Sequence, residues 1–202
     1  MKTPVNSASA RTAAANVLAF LVKSRDVKQI PIHESYLTKA RDRVVLDNKG
    51  CRFEPRVAVL WTPQTLILKN SDDVAHNTSY TPFVNPGDNI LIPPGAEVPK
   101  QLTESESRAA GASCSIHPWM KSWILVKDHP YAAVSGSDGM LEIQNLPVGK
   151  WTFQFWQEAI GYVVDIKLNG ASQKWSRGRV ELTIEDGKTT DVGIVKFAPK
   201  EE

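Results

Sequence analysis

The chain has 202 residues, enough for one good core or two small ones, and its 24 Lys and Arg against 22 Asp and Glu leave a formal net charge of +2. Acidic and basic residues are interspersed, and the absence of a long Lys or Arg run argues against a nucleic-acid footprint. The longest apolar stretch near the start, residues 13–22 with Asn16 interrupting, is too short to span a bilayer.

In chain order, residues 1–15 are rich in Ser, Ala and Thr and are expected to form a flexible N-terminal segment. The apolar run Asn16–Val22 is followed by Lys23-Ser24-Arg25-Asp26 rather than by a small-residue cleavage site, so it reads as a strand ahead of an Ala-rich helix or a degenerate signal peptide. Residues 27–43, with Pro31, read as a loop with one helical turn, and Val44-Val45-Leu46 leads into the turn signal Asp47-Asn48-Lys49-Gly50. Val57–Trp61 and Leu66–Leu68, broken at Thr62-Pro63, fit antiparallel strands of a sandwich. Between Tyr80 and Lys100 stand Pro82, Pro86, Pro93, Pro94 and Pro99, which predict a long loop. Trp123–Val126 is a further apolar strand.

After Asp128 the pattern becomes a meander. Ala132–Val134, Leu141–Ile143 and Thr152–Phe155 are separated by Ser137-Asp138-Gly139 and Asn145–Lys150, and Arg179–Ile184 and Thr190–Phe197 flank Asp186-Gly187-Lys188. Pattern alone leaves open whether these strands extend the first sandwich or form a second one.

The chemistry concentrates in one loop. Cys114-Ser115-Ile116-His117-Pro118-Trp119-Met120 offers a thiolate, an imidazole and a thioether at three-residue intervals, and His76 stands upstream in Asp72-Asp73-Val74-Ala75-His76-Asn77. Soft sulfur donors select copper over magnesium, calcium or manganese, and two imidazoles, one thiolate and a weak axial Met form the trigonal set used for one-electron transfer. Zinc is disfavoured, because a structural site wants four Cys or His ligands and seldom uses a thioether. No Ser, His and acid set stands in a hydrolase motif. The chain's two cysteines also admit a Cys51–Cys114 disulfide, which a copper-bound Cys114 thiolate would exclude. Met120 by itself could equally fill a core.

The spacing Cys-x2-His-x2-Met followed by Trp123-Ile124-Leu125-Val126 resembles the ligand loop and following strand of amicyanin, a cupredoxin, and Gln64–Asn70 followed by His76-Asn77 resembles the cupredoxin strand that delivers the first histidine. Leu46–Pro55, Ile116–Lys121 and Asp128-His129-Pro130-Tyr131 are similar to a bacterial cupredoxin-like group often labelled methylamine utilization proteins. Asp138-Gly139 through Asn145-Leu146-Pro147 and Gly149 resembles carboxypeptidase-regulatory-like β modules. That group of cupredoxin-like proteins carries His where this chain has Arg56 and Gln157, so no secondary metal site is expected on those two positions.

The resemblance implies an all-β Greek-key cupredoxin sandwich over residues 16–128, with a C-terminal β extension or small second module over 129–198. It implies one copper ion held by His76, Cys114, His117 and axial Met120, with Asn77 and Ser115 around the thiolate, and Pro118 and Trp119 by the exposed ligand edge. The implied role is an electron carrier rather than an enzyme, exported or periplasmic with a leader not visible here, and exchanging electrons with a redox donor and acceptor. The alternatives are a catalytic or sensory copper centre with Glu158 or water at the metal, and a metal-free binding module. His129 is expected to make a structural hydrogen bond and His33 to lie on the surface. Trp123, Trp151, Trp156 and Trp175 are expected in the core or at a sandwich edge.

Overall fold

The computed structural model describes residues 2–7, 14–24 and 26–198. The chain divides into two compact units, one formed by the segment up to His33 together with that from Tyr131 onward, the other by Glu34–Pro130. No helix among the described residues is long and apolar enough to cross a membrane.

The first unit opens with β1 (Lys2–Ser7) and β2 (Leu18–Val22). The Glu34–Pro130 unit begins with a 3₁₀ helix, Glu34–Arg41, and continues through β3 (Arg43–Asn48), β4 (Phe53–Glu54), β5 (Val57–Trp61), β6 (Thr65–Asn70) and β7 (His76–Tyr80). It is completed by β8 (Asp88–Ile92), β9 (Glu97–Lys100), β10 (Ala110–Ser113) and β11 (Lys121–Lys127). One sheet runs in the order β4-β3-β6-β9 and the other β5-β11-β10-β7-β8. β3 pairs β6 in parallel and β11 pairs β5 in parallel, while the remaining ladders of this unit are antiparallel. Alternation puts Leu46, Leu66 and Leu68 from one sheet against Leu60, Tyr80, Ile92, Ala112, Ile124 and Val126 from the other, in one buried cluster that also holds Cys114 and Met120. The architecture is an all-β sandwich.

The five-proline region is not one loop, since it contains β8 and β9. Pro99 is compatible with β9 because that strand lies at a sheet edge, pairing only with β6, so the missing N–H need not serve an inner ladder.

The other unit contains β12 (Ala132–Val134), β13 (Met140–Glu142), β14 (Gly149–Gln157), β15 (Gly161–Tyr162), β16 (Asp165–Leu168), β17 (Ala171–Lys174), β18 (Arg179–Ile184) and β19 (Val195–Phe197). Its sheets run β12-β2-β14-β15, with β18 also on β14, and β13-β1-β19-β16-β17. The strand expected to open the sandwich of residues 16–128 therefore lies elsewhere: β2 sits between β12 and β14, with Phe20 opposite both Ala132 and Gln154. Leu18, Ala19, Phe20 and Leu21 are all buried, and such a continuous apolar run needs a central position with both faces covered. The C-terminal strands form a second compact unit with that N-terminal strand. Of the stretch expected to be flexible, residues 1 and 8–13 lie outside the described residues, and Lys2–Ser7 is a strand.

In the Glu34–Pro130 unit, the loop after β7 is tied down by one buried carboxylate. Glu106 accepts the backbone N–H of Phe83 (3.0 Å), Val84 (3.0 Å) and Asn85 (2.9 Å), and the Asn85 side-chain amide (2.8 Å). Burial pushes its carboxyl upward. The Asn85 backbone and side-chain bonds, with the N–H groups of Val84 and Phe83, outweigh burial and hold it below the ordinary glutamate value. A carboxyl depressed in the folded state contributes stability that is complete above its unfolded pKa and is lost as pH falls through the folded one. Glu106→Gln should therefore lower stability at neutral pH by about 1–3 kcal/mol and flatten the acid limb of the stability curve, measured by urea melts across pH.

Candidate metal centre

The loop of residues 114–120 closes a hairpin. β10 and β11 are antiparallel with Ser113 opposite Lys121, so residues 114–120 form the connection between them. The Cys114 N–H donates to the Met120 carbonyl (3.3 Å) at the neck, and the Met120 N–H donates to the His117 carbonyl (2.9 Å). Cys114 and Met120 are therefore both drawn into the core, each 1% exposed, while His117 is half-buried nearer the tip.

The second donor strand is brought in by sheet register. β10 pairs β7 with Ser113 opposite Ser79, so the chain beyond Ser113 runs alongside Thr78, Asn77 and His76. Asn77 fastens that junction. Its Oδ1 accepts the backbone N–H of Ser115 (2.7 Å) and Ile116 (3.3 Å) and the Cys114 thiol (3.3 Å), while its Nδ2 donates to Ser115 Oγ (3.2 Å) and Asn89 Oδ1 (2.6 Å).

Three donors converge as a result. Cys114 Sγ lies 3.9 Å from His76 Nδ1 and 3.8 Å from His117 Nδ1, and the two rings are 4.6 Å apart at their centroids. These separations are long for an S–H···N hydrogen bond. Metal bonds of about 2.0 Å to nitrogen and about 2.3 Å to sulfur, opened to roughly 120°, place the two donor atoms about 3.8 Å apart, so the spacing fits a trigonal set of two nitrogens and one sulfur around one soft ion. Both histidines present Nδ1 to the thiol, and His76 is fully buried, with 0% exposure.

Sequence reasoning did not find Asp72. It stands in the turn before β7, which Asn70 shapes by donating its side-chain amide to the carbonyls of Val74 (2.8 Å) and Ile92 (2.9 Å) and accepting the Asp72 N–H (3.0 Å). Asp72 Oδ2 accepts the His76 Nε2–H at 2.9 Å, which leaves Nδ1 with its lone pair for a metal. Partial burial pushes the Asp72 carboxyl upward. The N–H groups of Cys51 (2.8 Å) and Gly50 (2.6 Å), and His76, more than offset this and hold it below the ordinary aspartate value. The only signal in the sequence was an Asp four residues before a candidate ligand, which many surface turns share.

Both cysteines are free, so the Cys51–Cys114 disulfide is not formed. Cys51 belongs instead to a second set of converging donors, with Asp72 and His76. His129 is buried, His33 is exposed, and neither belongs to a donor set among the described residues. Glu158 lies in the other compact unit, just after β14, and is likewise in neither set. Trp119 is 64% exposed, stands edge-on to His117 at 5.1 Å, and donates its Nε1–H to the Cys51 carbonyl (3.1 Å). Trp175 is buried, and Trp123, Trp151 and Trp156 are half-buried.

Removing the Asn77 clamp tests whether the loop is held by the protein alone. Asn77→Ala should cost the metal-free protein about 1–3 kcal/mol and speed amide exchange at Ser115 and Ile116, measured by chemical melts and hydrogen exchange.

No family model matches the chain, and no curated protein does. Among solved structures it is similar to a Cu(I) amicyanin variant, with 16% identity over 42% of this chain and 82% of that one, at a TM-score of 0.37. A purple cupredoxin from Nitrosopumilus maritimus is 18% identical over 43% of this chain and 99% of that one, at 0.35. A copper-containing nitrite reductase from Thermus scotoductus SA-01 is 18% identical over 52% of this chain but only 25% of that one, at 0.37. The fold itself is an all-β sandwich in which His76, at the start of β7, meets Cys114 and His117 of the loop between β10 and β11.

Proposed function

We propose that the protein is a mononuclear type 1 copper protein that carries single electrons between a redox donor and a redox acceptor. The observation that carries this reading is the approach of two imidazole Nδ1 atoms to one buried thiol at 3.9 and 3.8 Å. His76, Cys114 and His117 would hold the ion, with Met120, buried at the neck of the same loop, as the weak axial donor. When bound, copper supplies a one-electron Cu(I)/Cu(II) couple.

The chain's own residues do the rest. Asn77 and the β10–β11 neck hold the thiolate in place, Asp72 orients His76, and the surrounding core of Leu46, Phe53, Ile92 and Val126 keeps water away. A site preformed in this way changes little between oxidation states, which keeps reorganisation small. Exchange would occur at His117, where Ile116 (51% exposed) and Trp119 offer an apolar face to a partner. Carrier rather than catalyst, and export to the periplasm or beyond, belong to the same proposal.

The decisive experiment is a visible and paramagnetic resonance spectrum after addition of Cu(II). Wild type and Cys51→Ser should turn intensely coloured through thiolate-to-copper charge transfer, and adding Cys114→Ala to Cys51→Ser should remove that band while keeping the melting transition. An intense band surviving in Cys51→Ser, Cys114→Ala, which has no cysteine left, or no loss of the band on going from Cys51→Ser to that double variant, would overturn the assignment. Met120→Leu should keep the colour and raise the reduction potential, because loss of a weak donor disfavours Cu(II). Each tenfold weakening of Cu(II) relative to Cu(I) raises the potential by about 59 mV, read by redox titration. Glu158→Gln should leave the potential where it is. Asp72→Asn should weaken copper binding about 10–100-fold, measured by competition with a chelator.

A further inference from the structure

The left-over cysteine lies against the back of the same histidine. Gly50 and Cys51 both have positive φ, +61° and +52°, the latter a conformation that side chains with a Cβ seldom adopt. That turn aims both of its N–H groups at Asp72 and places the Cys51 thiol beside it. Cys51 Sγ, an Asp72 carboxylate oxygen and a His76 ring nitrogen all lie within 4.8 Å of one another. His76 is thus flanked on both sides: Nδ1 faces Cys114 and His117, while Nε2 faces Asp72.

We infer that Cys51, Asp72 and His76 Nε2 form a second metal site, for a soft divalent ion of the zinc class, joined to the first through the His76 ring. One thiolate, one carboxylate and one imidazole nitrogen are a zinc-type donor set with a fourth position left for water. On binding, the Cys51 thiol proton and the hydrogen that Nε2 now shares with Asp72 leave to solvent, and the ion takes the latter's place. Ligand bonds of about 2.0–2.1 Å at a tetrahedral angle need those two atoms about 3.4 Å apart, so the present 2.9 Å opens by about half an ångström. Access is available, since Cys51 is half-buried and the Asp72 side chain retains 14% exposure, whereas His76 has none. The Trp119 indole, bonded to the Cys51 carbonyl, links the turn to the copper loop. This inference shares His76 with the copper reading but draws its thiolate from the other cysteine, so the two can fail separately.

The chain has two cysteines, so in full-length Cys114→Ala any metal–thiolate band must come from Cys51. Adding Co(II), a spectroscopic substitute for zinc, to that variant should produce a thiolate-to-cobalt band that zinc displaces. The double variant Cys51→Ser, Cys114→Ala should lose the band entirely. In wild type preloaded with Cu(II), calorimetry should show one further equivalent of Zn(II), and the copper resonance spectrum should shift as it binds. Cys51→Ser should keep the copper colour, which also reports its fold, while losing the second equivalent and the shift. No cobalt–thiolate band in Cys114→Ala, or the same zinc stoichiometry in wild type and Cys51→Ser, would overturn the second site. Absence of copper colour with the cobalt band present would instead overturn the copper reading alone.

Discussion

The pairing of β7 with β10 is the constraint on which the centre rests. Once Ser79 lies opposite Ser113, the start of one strand and the loop after the other must run side by side, and His76 has to approach Cys114. Asn77 turns that register into a lock by satisfying the two backbone N–H groups that a departing loop would otherwise leave unpaired. The donors are gathered by backbone hydrogen bonds, independently of any ion. Under the carrier reading, donors held in place in this way need little rearrangement between oxidation states.

The segments on either side of β7 are each braced by a carboxylate that accepts backbone N–H groups. Asp72 gathers the Gly50–Cys51 turn before the strand, and Glu106 gathers residues 83–85 after it. Both carboxyls are held below their ordinary values because several aligned N–H dipoles exceed the cost of burial. The same interactions that keep the charges inside also stop the ends of β7 from fraying, so the strand that presents His76 is firmly held at both ends.

The two histidines differ in their relation to solvent, and this gives the centre a direction. His76 is sealed, with its far nitrogen committed to Asp72, while His117 is half-buried and lies beneath an exposed indole. Under the carrier reading, traffic with partners belongs to the His117 face. Behind His76 lie the partly exposed Asp72 carboxylate and the half-buried Cys51.

Much of this was legible in the sequence because it depends on neighbours along the chain. Cys114, His117 and Met120 sit in one seven-residue loop between two apolar runs, and β5, β11 and β18 coincide with or enclose stretches whose composition already marked them as strands. The hairpin at Asn169-Gly170, joining β16 to β17 with both residues at positive φ, also carried a local turn signal, and it went unread among polar residues. What the sequence could not contain was anything set by long-range pairing. An apolar strand states that it must be buried but not against which sheet, so the family resemblance placed β2 in the sandwich of residues 16–128, and its pairing with β12 and β14 puts it in the other unit. Asp72 and Cys51 are ordinary residues 21 positions apart until a left-handed turn folds one onto the other and both onto His76. Sequence by itself determined which donors were available and the spacing within their loop; tertiary structure decided which of them meet, because a side chain's chemistry is written at its own position and its distance to a remote partner is not.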